Sequence, residues 1–140
     1  MDKQRWPGLA ALALACAISY VAGDANAEQG DITLHTVSLH VGASGLNNLN
    51  PGAAYGVTDH VRIGALYNSY RKPSAYVFYI HPLTDRLRLA GGVISGYRYS
   101  GGRLYGKTAS AVPAIALEYD VTKQLSVVWF GQAFSLEIKY

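Results

Sequence analysis

From His35 onward, apolar and polar residues alternate with a two-residue period, and turn residues break the alternation at intervals. The clearest run is the last: Phe134, Leu136, Ile138 and Tyr140 fall on one face, and Ser135, Glu137 and Lys139 on the other. No segment after the N-terminal stretch has the spacing of an amphipathic helix. The pattern predicts eight strands, at residues 35–42, 51–57, 60–70, 75–82, 86–97, 111–120, 124–130 and 132–140. Two of these have only about seven residues, fewer than the roughly 9–11 of a tilted strand that spans a bilayer.

The breaks are of two kinds. Val57-Thr-Asp-His60, Leu83-Thr-Asp-Arg86 and Val121-Thr-Lys-Gln124 repeat one short form, apolar-Thr-polar-polar, each followed by an alternating segment. Short Thr and Asp side chains bond nearby backbone groups and so favour tight turns. The other connections, at residues 43–50, 71–74 and 98–110 and near Gly131, are more varied. Short turns at one end, varied loops at the other and an even strand count predict an all-β fold, an eight-stranded antiparallel up-and-down barrel.

Following one phase around the barrel gives Val37, Leu39 and Val41; Val61, Ile63, Ala65 and Tyr67; Tyr76, Phe78 and Ile80; Leu87, Leu89 and Val93; Ile115, Leu117 and Tyr119; and Leu125, Val127 and Trp129. It joins the face of Phe134 and Tyr140 in an almost uncharged surface with aromatics near its ends. The opposite phase holds Ser38, His40, Arg62, Asn68, Tyr79, His81, Arg88, Glu118, Ser126, Glu137 and Lys139. If the uncharged phase faces lipid, the barrel is transmembrane. Arg62, His81, Arg88, Glu118 and Glu137 are then expected in a paired polar network inside the lumen, with Arg88 and Glu118 on hairpin-linked strands as its first pair. The inverse arrangement, apolar inside, would make a periplasmic lipocalin-like ligand barrel.

The alternating final strand ending on Tyr140, together with the trimmed rim, resembles the small outer-membrane β-barrel proteins of the OmpA and OmpX size class. That resemblance implies the outer membrane of a Gram-negative bacterium and insertion by the barrel assembly machinery, which reads the last strand. Its implied partners are outer-membrane lipid and lipopolysaccharide, and its implied state is a monomer. An eight-stranded lumen is filled by side chains, which argues against a pore.

The N-terminus fits that compartment. Met1-Asp-Lys-Gln-Arg5 is a short charged region, residues 6–21 are mostly apolar, and Ala25-Asn-Ala27 is a small-x-small cleavage site, so residues 1–27 read as a signal peptide and 28–140 as one barrel domain. Cys16 lies inside the leader, and the domain after it holds no cysteine for a disulfide, a thiolate metal site or a thiol nucleophile. A lipoprotein reading of Ala13-Leu-Ala-Cys16 competes with it. The chain carries a formal charge of +3 and 11 tyrosines, with no Lys/Arg run, so nucleic acid is not an expected partner.

Candidate chemistry gathers on the loop rim. His40 leads into Gly-Ala-Ser44-Gly-Leu-Asn47-Asn48-Leu-Asn50-Pro51-Gly52, and Asn68-Ser-Tyr70-Arg71 should lie near it in a folded barrel. Asn-x-Asn-Pro-Gly is turn chemistry in the first place. A neutral His beside a hydroxyl can also serve as a base. Loosely, residues 40–52 resemble the motif of the lipid A 3-O-deacylases (PagL), eight-stranded barrels with a His, Ser and Glu triad. Here Gly42 stands two residues after His40 where that family has Ser, Ala54 stands where Glu is expected, and no acidic residue lies between Asp31 and Asp59. The deacylase reading therefore rests on His40 and on Ser44, which takes the serine's place only if the backbone bulges. Asn47, Asn48, Asn50, Asn68, Tyr70, Arg71, Arg98, Arg103 and Lys107 are the candidate binding residues, the last three in a Gly-rich stretch suited to lipopolysaccharide phosphates or a protein partner. His35, His60 and His81 lack metal-ligand spacing, and no cofactor is expected. The leading functional expectation is a non-enzymatic surface scaffold for binding or masking; the enzymatic alternative is a rearranged deacylase-like acyl hydrolase.

Overall fold

The alternating segments form eight strands: β1 (Ile32–His40), β2 (Leu49–Thr58), β3 (Val61–Tyr67), β4 (Pro73–Pro82), β5 (Leu87–Ser100), β6 (Arg103–Asp120), β7 (Leu125–Phe130) and β8 (Ala133–Lys139). The structure, a computed structural model, describes residues 30–101 and 103–140; the leader expected at residues 1–27 lies outside the described residues. Each strand pairs antiparallel with its sequence neighbour, and β8 returns to β1 to close the barrel. The closing ladder matches Thr33 with Lys139 and His35 with Glu137, and Ile32 and Tyr140 exchange backbone hydrogen bonds of 3.0 and 2.8 Å. Closure leaves no unpaired sheet edge.

The repeated turns share one mechanism. Thr58 Oγ1 accepts from the amides of His60 and Val61 (3.2 and 3.0 Å), Thr84 Oγ1 from Arg86 and Leu87 (3.3 and 3.0 Å), and Thr122 Oγ1 from Gln124 and Leu125 (3.2 and 3.0 Å). The threonine side chain ties up two amides that would otherwise point into solvent and so keeps this rim short.

Side-chain direction alternates except where the register shifts, which happens in β1, in β2 between Gly56 and Thr58, and in β5 against β6. In β1 the register shifts between His35 and Ser38, and the Thr36 hydroxyl donates to the Leu136 carbonyl at 3.0 Å across the gap. Without this extra residue His35 and His40 would point to opposite sides; with it both point inward. In β5 the register shifts between Ser95 and Tyr97, around Gly96 at φ +83°.

β4 corrects the expected phase. Tyr76, Phe78 and Ile80 point into the lumen, Tyr76 and Ile80 being buried, while Tyr79 and His81 are exposed on the outside. The reason lies on the flanking strands. Tyr76 pairs with Gly64 of β3 and Phe78 with Gly92 of β5, and a Cβ at Gly64 would stand 2.5 Å from the Tyr76 ring. The two rings occupy space that the facing glycines leave empty. The expected 98–110 loop is also corrected: β5 and β6 continue as a paired hairpin to Ser100 and Arg103, beyond a second irregular stretch that contains Ala109 at φ 56°.

Inside, Ala54, Tyr76, Ile94, Tyr97, Val112 and Ala114 form one buried cluster, and Ile80, Ala90 and Ala116 another. On the face opposite Glu137 and Lys139, Val37, Leu125, Leu136 and Ile138 form a third.

Adjacent glycines in β5 give a test. A Cβ at Gly92 would lie 2.0 Å from the Val77 carbonyl oxygen and 2.8 Å from Phe78, whereas one at Gly91 meets nothing within 4 Å. Gly92→Ala is expected to cost at least the 1–3 kcal/mol or so typical of overpacking, and Gly91→Ala to be neutral or to stabilise by up to about 1 kcal/mol. Urea unfolding of the two purified variants measures the difference.

Candidate functional site

Two polar assemblies occupy the barrel, one at each end of the lumen. Towards the short-turn rim, β3, β5, β6 and β8 aim their charges at one point. Glu118, 1% exposed, accepts from Arg62 Nη1 at 3.0 Å and Arg88 Nη2 at 2.7 Å, with Lys139 Nζ 2.6 Å away. Asp120 accepts from Lys139 Nζ and the Ser126 hydroxyl, each at 2.6 Å, and also pairs with Arg88. Glu137 takes His35 Nδ1 at 3.0 Å and faces Arg62 at 3.5 Å; His35 Nε2 lies 2.8 Å from the Tyr76 hydroxyl. Arg62, Arg88 and Lys139 thus face Glu118, Asp120 and Glu137, three cations against three carboxylates. Buried charges persist only when paired in this way.

Arg62, Arg88, Glu118 and Glu137 therefore meet, and Arg88 and Glu118 are direct cross-strand partners. His81 does not meet them. With the phase of β4 inverted it lies outside and exposed, and the lumen positions of that strand go to Tyr76 and Ile80. His35, Asp120 and Lys139 complete the network: Lys139 lies on the polar phase read from the sequence, Asp120 joins through Lys139 and Arg88, and His35 comes inward by the β1 bulge to meet Glu137.

The second assembly lies at the loop rim. His40 Nδ1 is 2.8 Å from Asn48 Oδ1, and His40 Nε2 is 2.7 Å from Ser69 Oγ. The amide oxygen only accepts, so Nδ1 carries the proton and Nε2 accepts from the serine hydroxyl. Asn50 is buried; its Nδ2 donates to the Tyr67 carbonyl at 3.1 Å and stands 3.5 Å from Ser69 Oγ, while its Oδ1 accepts from Ser38. The Asn47 amide donates to the Ser69 carbonyl at 2.8 Å, which ties the 41–48 loop to the β3–β4 turn. Asn68, with no exposed surface, builds that turn: its Oδ1 accepts from the amides of Tyr70 and Lys72 (2.9 and 3.0 Å), and its Nδ2 donates to Ser74 and to the Gly96 carbonyl (2.9 and 3.2 Å).

The expected loop-rim residues thus separate by role. Asn48 and Asn50 surround His40 and Ser69. Asn47 spends its side chain on a local turn to Leu49, Asn68 is a fully used structural latch, and the Tyr70 hydroxyl donates to the Leu104 carbonyl. Burial, and then Tyr105, push that hydroxyl above its ordinary pKa. Arg71, Arg98, Arg103 and Lys107 are exposed. Ser44 is exposed too, and the hydroxyl that reaches His40 belongs to Ser69, on a different loop. The 68–71 segment lies beside His40 as expected, 29 residues away in the chain, but its serine and not Ser44 supplies the hydroxyl.

Between the assemblies is a cavity of about 90 Å³, walled by Leu66, Phe78, Ile94, Tyr97 and Phe130, with Ser69, Ser38 and Asn50 at one end and Arg62, Glu118 and Glu137 at the other. Among the described residues no group of His, Cys, Asp and Glu is placed to hold a metal ion.

These features define the protein as a small, closed eight-stranded barrel with an ion-filled lumen and a polar cluster at its loop rim. In comparisons with known proteins, no protein-family model matches the chain and no curated protein matches it.

Truncating the hub carboxylate leaves Arg62, Arg88 and Lys139 facing Asp120 and Glu137 alone. Glu118→Ala is expected to destabilise the barrel by about 3–5 kcal/mol, as removal of one partner from a buried ion pair does. His81→Ala, outside the network, should change stability by less than about 0.5 kcal/mol. Both are read by urea unfolding.

Proposed function

We propose that this protein is an integral outer-membrane β-barrel with a sealed lumen, which presents its loop rim to lipopolysaccharide as a surface scaffold. The supporting observation is the outward face of β2–β6. Over residues 51–57 of β2, 61–67 of β3, 75–81 of β4, 87–95 of β5 and 111–119 of β6, no outward residue is Asp, Glu, Lys or Arg, while Tyr55, Ile63, Val77, Val93 and Ile115 are 44–71% exposed. Of its two polar members, Ser95 accepts from the Ala75 amide at 2.8 Å and His81 lies beside the short-turn rim. In water such a surface would be a severe aggregation liability, whereas hydrocarbon accepts it and a closed barrel leaves no backbone group unpaired.

Aromatics bound the face at both ends. Tyr55, Tyr79, Tyr119 and Tyr140 are exposed near the short-turn rim, and Tyr67, Trp129 and Phe134 near the loop rim, with Trp129 and Phe134 stacked at 6.2 Å. Two such girdles fit the two membrane interfaces. β3, β7 and β8 have 7, 6 and 7 residues, so the bilayer would thin beside them at modest cost.

Charge distinguishes the rims. Arg71, Lys72, Arg98, Arg103 and Lys107 stand exposed towards the loop rim, and Asp31, Asp59 and Asp85, with Arg86 and Lys123, lie at the other. An all-cationic loop rim suits phosphorylated lipopolysaccharide, and the short turns then face the periplasm. The paired lumen charges argue against a conducting pore.

The folded protein should resist SDS and change its migration on boiling, and its affinity for lipopolysaccharide should fall at least tenfold when the sugar phosphates are removed or when Arg71, Arg98 and Arg103 are replaced by Ala. Recovery as a water-soluble protein whose migration does not change on boiling would rule out the membrane reading, and equal affinity for dephosphorylated lipopolysaccharide the binding reading.

A further inference from the structure

We infer that Ser69, His40 and Asn48 form a nucleophilic site for hydrolysis of carboxylic esters with a short acyl chain. The site goes beyond the scaffold reading and stands on its own geometry. Ser69 Oγ donates to His40 Nε2 at 2.7 Å, and Asn48 Oδ1 fixes the opposite ring nitrogen as the proton-bearing one at 2.8 Å. Nucleophile bonded to base, and base bonded to an orienting group, is the arrangement that activates a serine. An amide as the third member orients the ring without placing another charge in the partly buried cluster.

The surroundings suit acyl transfer. Asn50 Nδ2, 3.5 Å from Ser69 Oγ, is a donor beside the reacting oxygen and can stabilise an oxyanion that forms there. Ser69 opens on the lumen cavity, whose walls of Leu66, Ile94, Tyr97 and Phe130 are apolar and whose volume of about 90 Å³ limits an acyl chain to a few carbons. The Asn68-built turn and the Asn47 bond to Ser69 hold the serine rigidly, the preorganisation a reactive site requires.

In the reaction the Ser69 proton passes to His40 Nε2 as Oγ bonds to the ester carbonyl carbon. The tetrahedral oxyanion collapses, the bond to the alcohol oxygen breaks, and the alcohol leaves with the proton from Nε2. A water, deprotonated by His40, then attacks the acyl-Ser69 carbonyl; the Ser69–acyl bond breaks, releasing the carboxylic acid and returning the proton to Oγ.

A fluorophosphonate probe tests this on the purified, heat-modifiable protein: Ser69 Oγ bonds to phosphorus and fluoride leaves. Intact mass should show one adduct, and peptide mapping should place it on Ser69. Hydrolysis of p-nitrophenyl butyrate should be lost in Ser69→Ala and slowed about 10²–10⁴-fold in His40→Ala, the range a positioned base contributes. Asn48→Leu should slow it at least tenfold and Asn48→Asp restore it, a rescue that loop packing alone does not predict. A heat-modifiable wild-type protein with no adduct, or an adduct mapped to another residue, would overturn the proposal. Because mapping uses the unaltered chain, misfolding of a variant cannot obscure the result, and soluble behaviour would refute the membrane reading without touching this one.

Discussion

The rest of the structure depends on the ion cluster around Glu118. Four strands that are distant in sequence each place a charge on one buried point, and each charge is tolerable only because the others are present. Pairing Arg62, Arg88 and Lys139 with Glu118, Asp120 and Glu137 fixes which side of the sheet is inside. A one-residue register slip would turn every one of these charges outward and every outward Val and Tyr inward. The charged lumen and the uncharged exterior are therefore one feature of the alternation, seen from its two sides.

A second constraint, volume, sets the phase where charge does not. β4 is the instructive strand. Its Tyr-x-Phe-x-Ile run looks like an outward apolar face, and hydrophobicity alone assigns it so. Gly64 and Gly92 on the neighbouring strands reverse the assignment, because a narrow lumen has a void wherever a glycine points in, and the Tyr76 and Phe78 rings fill it. The information was in the sequence, but on other strands, and it becomes readable only once the pairing register is known.

The same distinction separates what was legible in the site from what was not. Strand number, the Thr turns and the charges of β3, β5, β6 and β8 follow from local pattern. The Ser69–His40 bond does not: the 68–71 segment was expected beside an inward His40, but which hydroxyl meets the ring is set by the Asn68 turn that presents Ser69. The expectation settled on Ser44, which is near His40 in sequence and stands exposed in the 41–48 loop. The structure thus divides into a balanced ionic plug that holds the barrel, an apolar exterior that would place it in a bilayer, and a polar rim where chemistry could occur.

Nitroxide labels test the central claim, that lipid meets the outward face. With Cys16 replaced by Ser, single cysteines at Val77, Val93 and Ile115 would be labelled in protein reconstituted into bilayers, with Ala116, which faces the lumen, as reference. The account predicts frequent collisions with dissolved oxygen and few with a water-soluble nickel chelate at the three outward sites, and few with either at Ala116. Nickel collisions at Ile115 as frequent as those of a label free in water would contradict it.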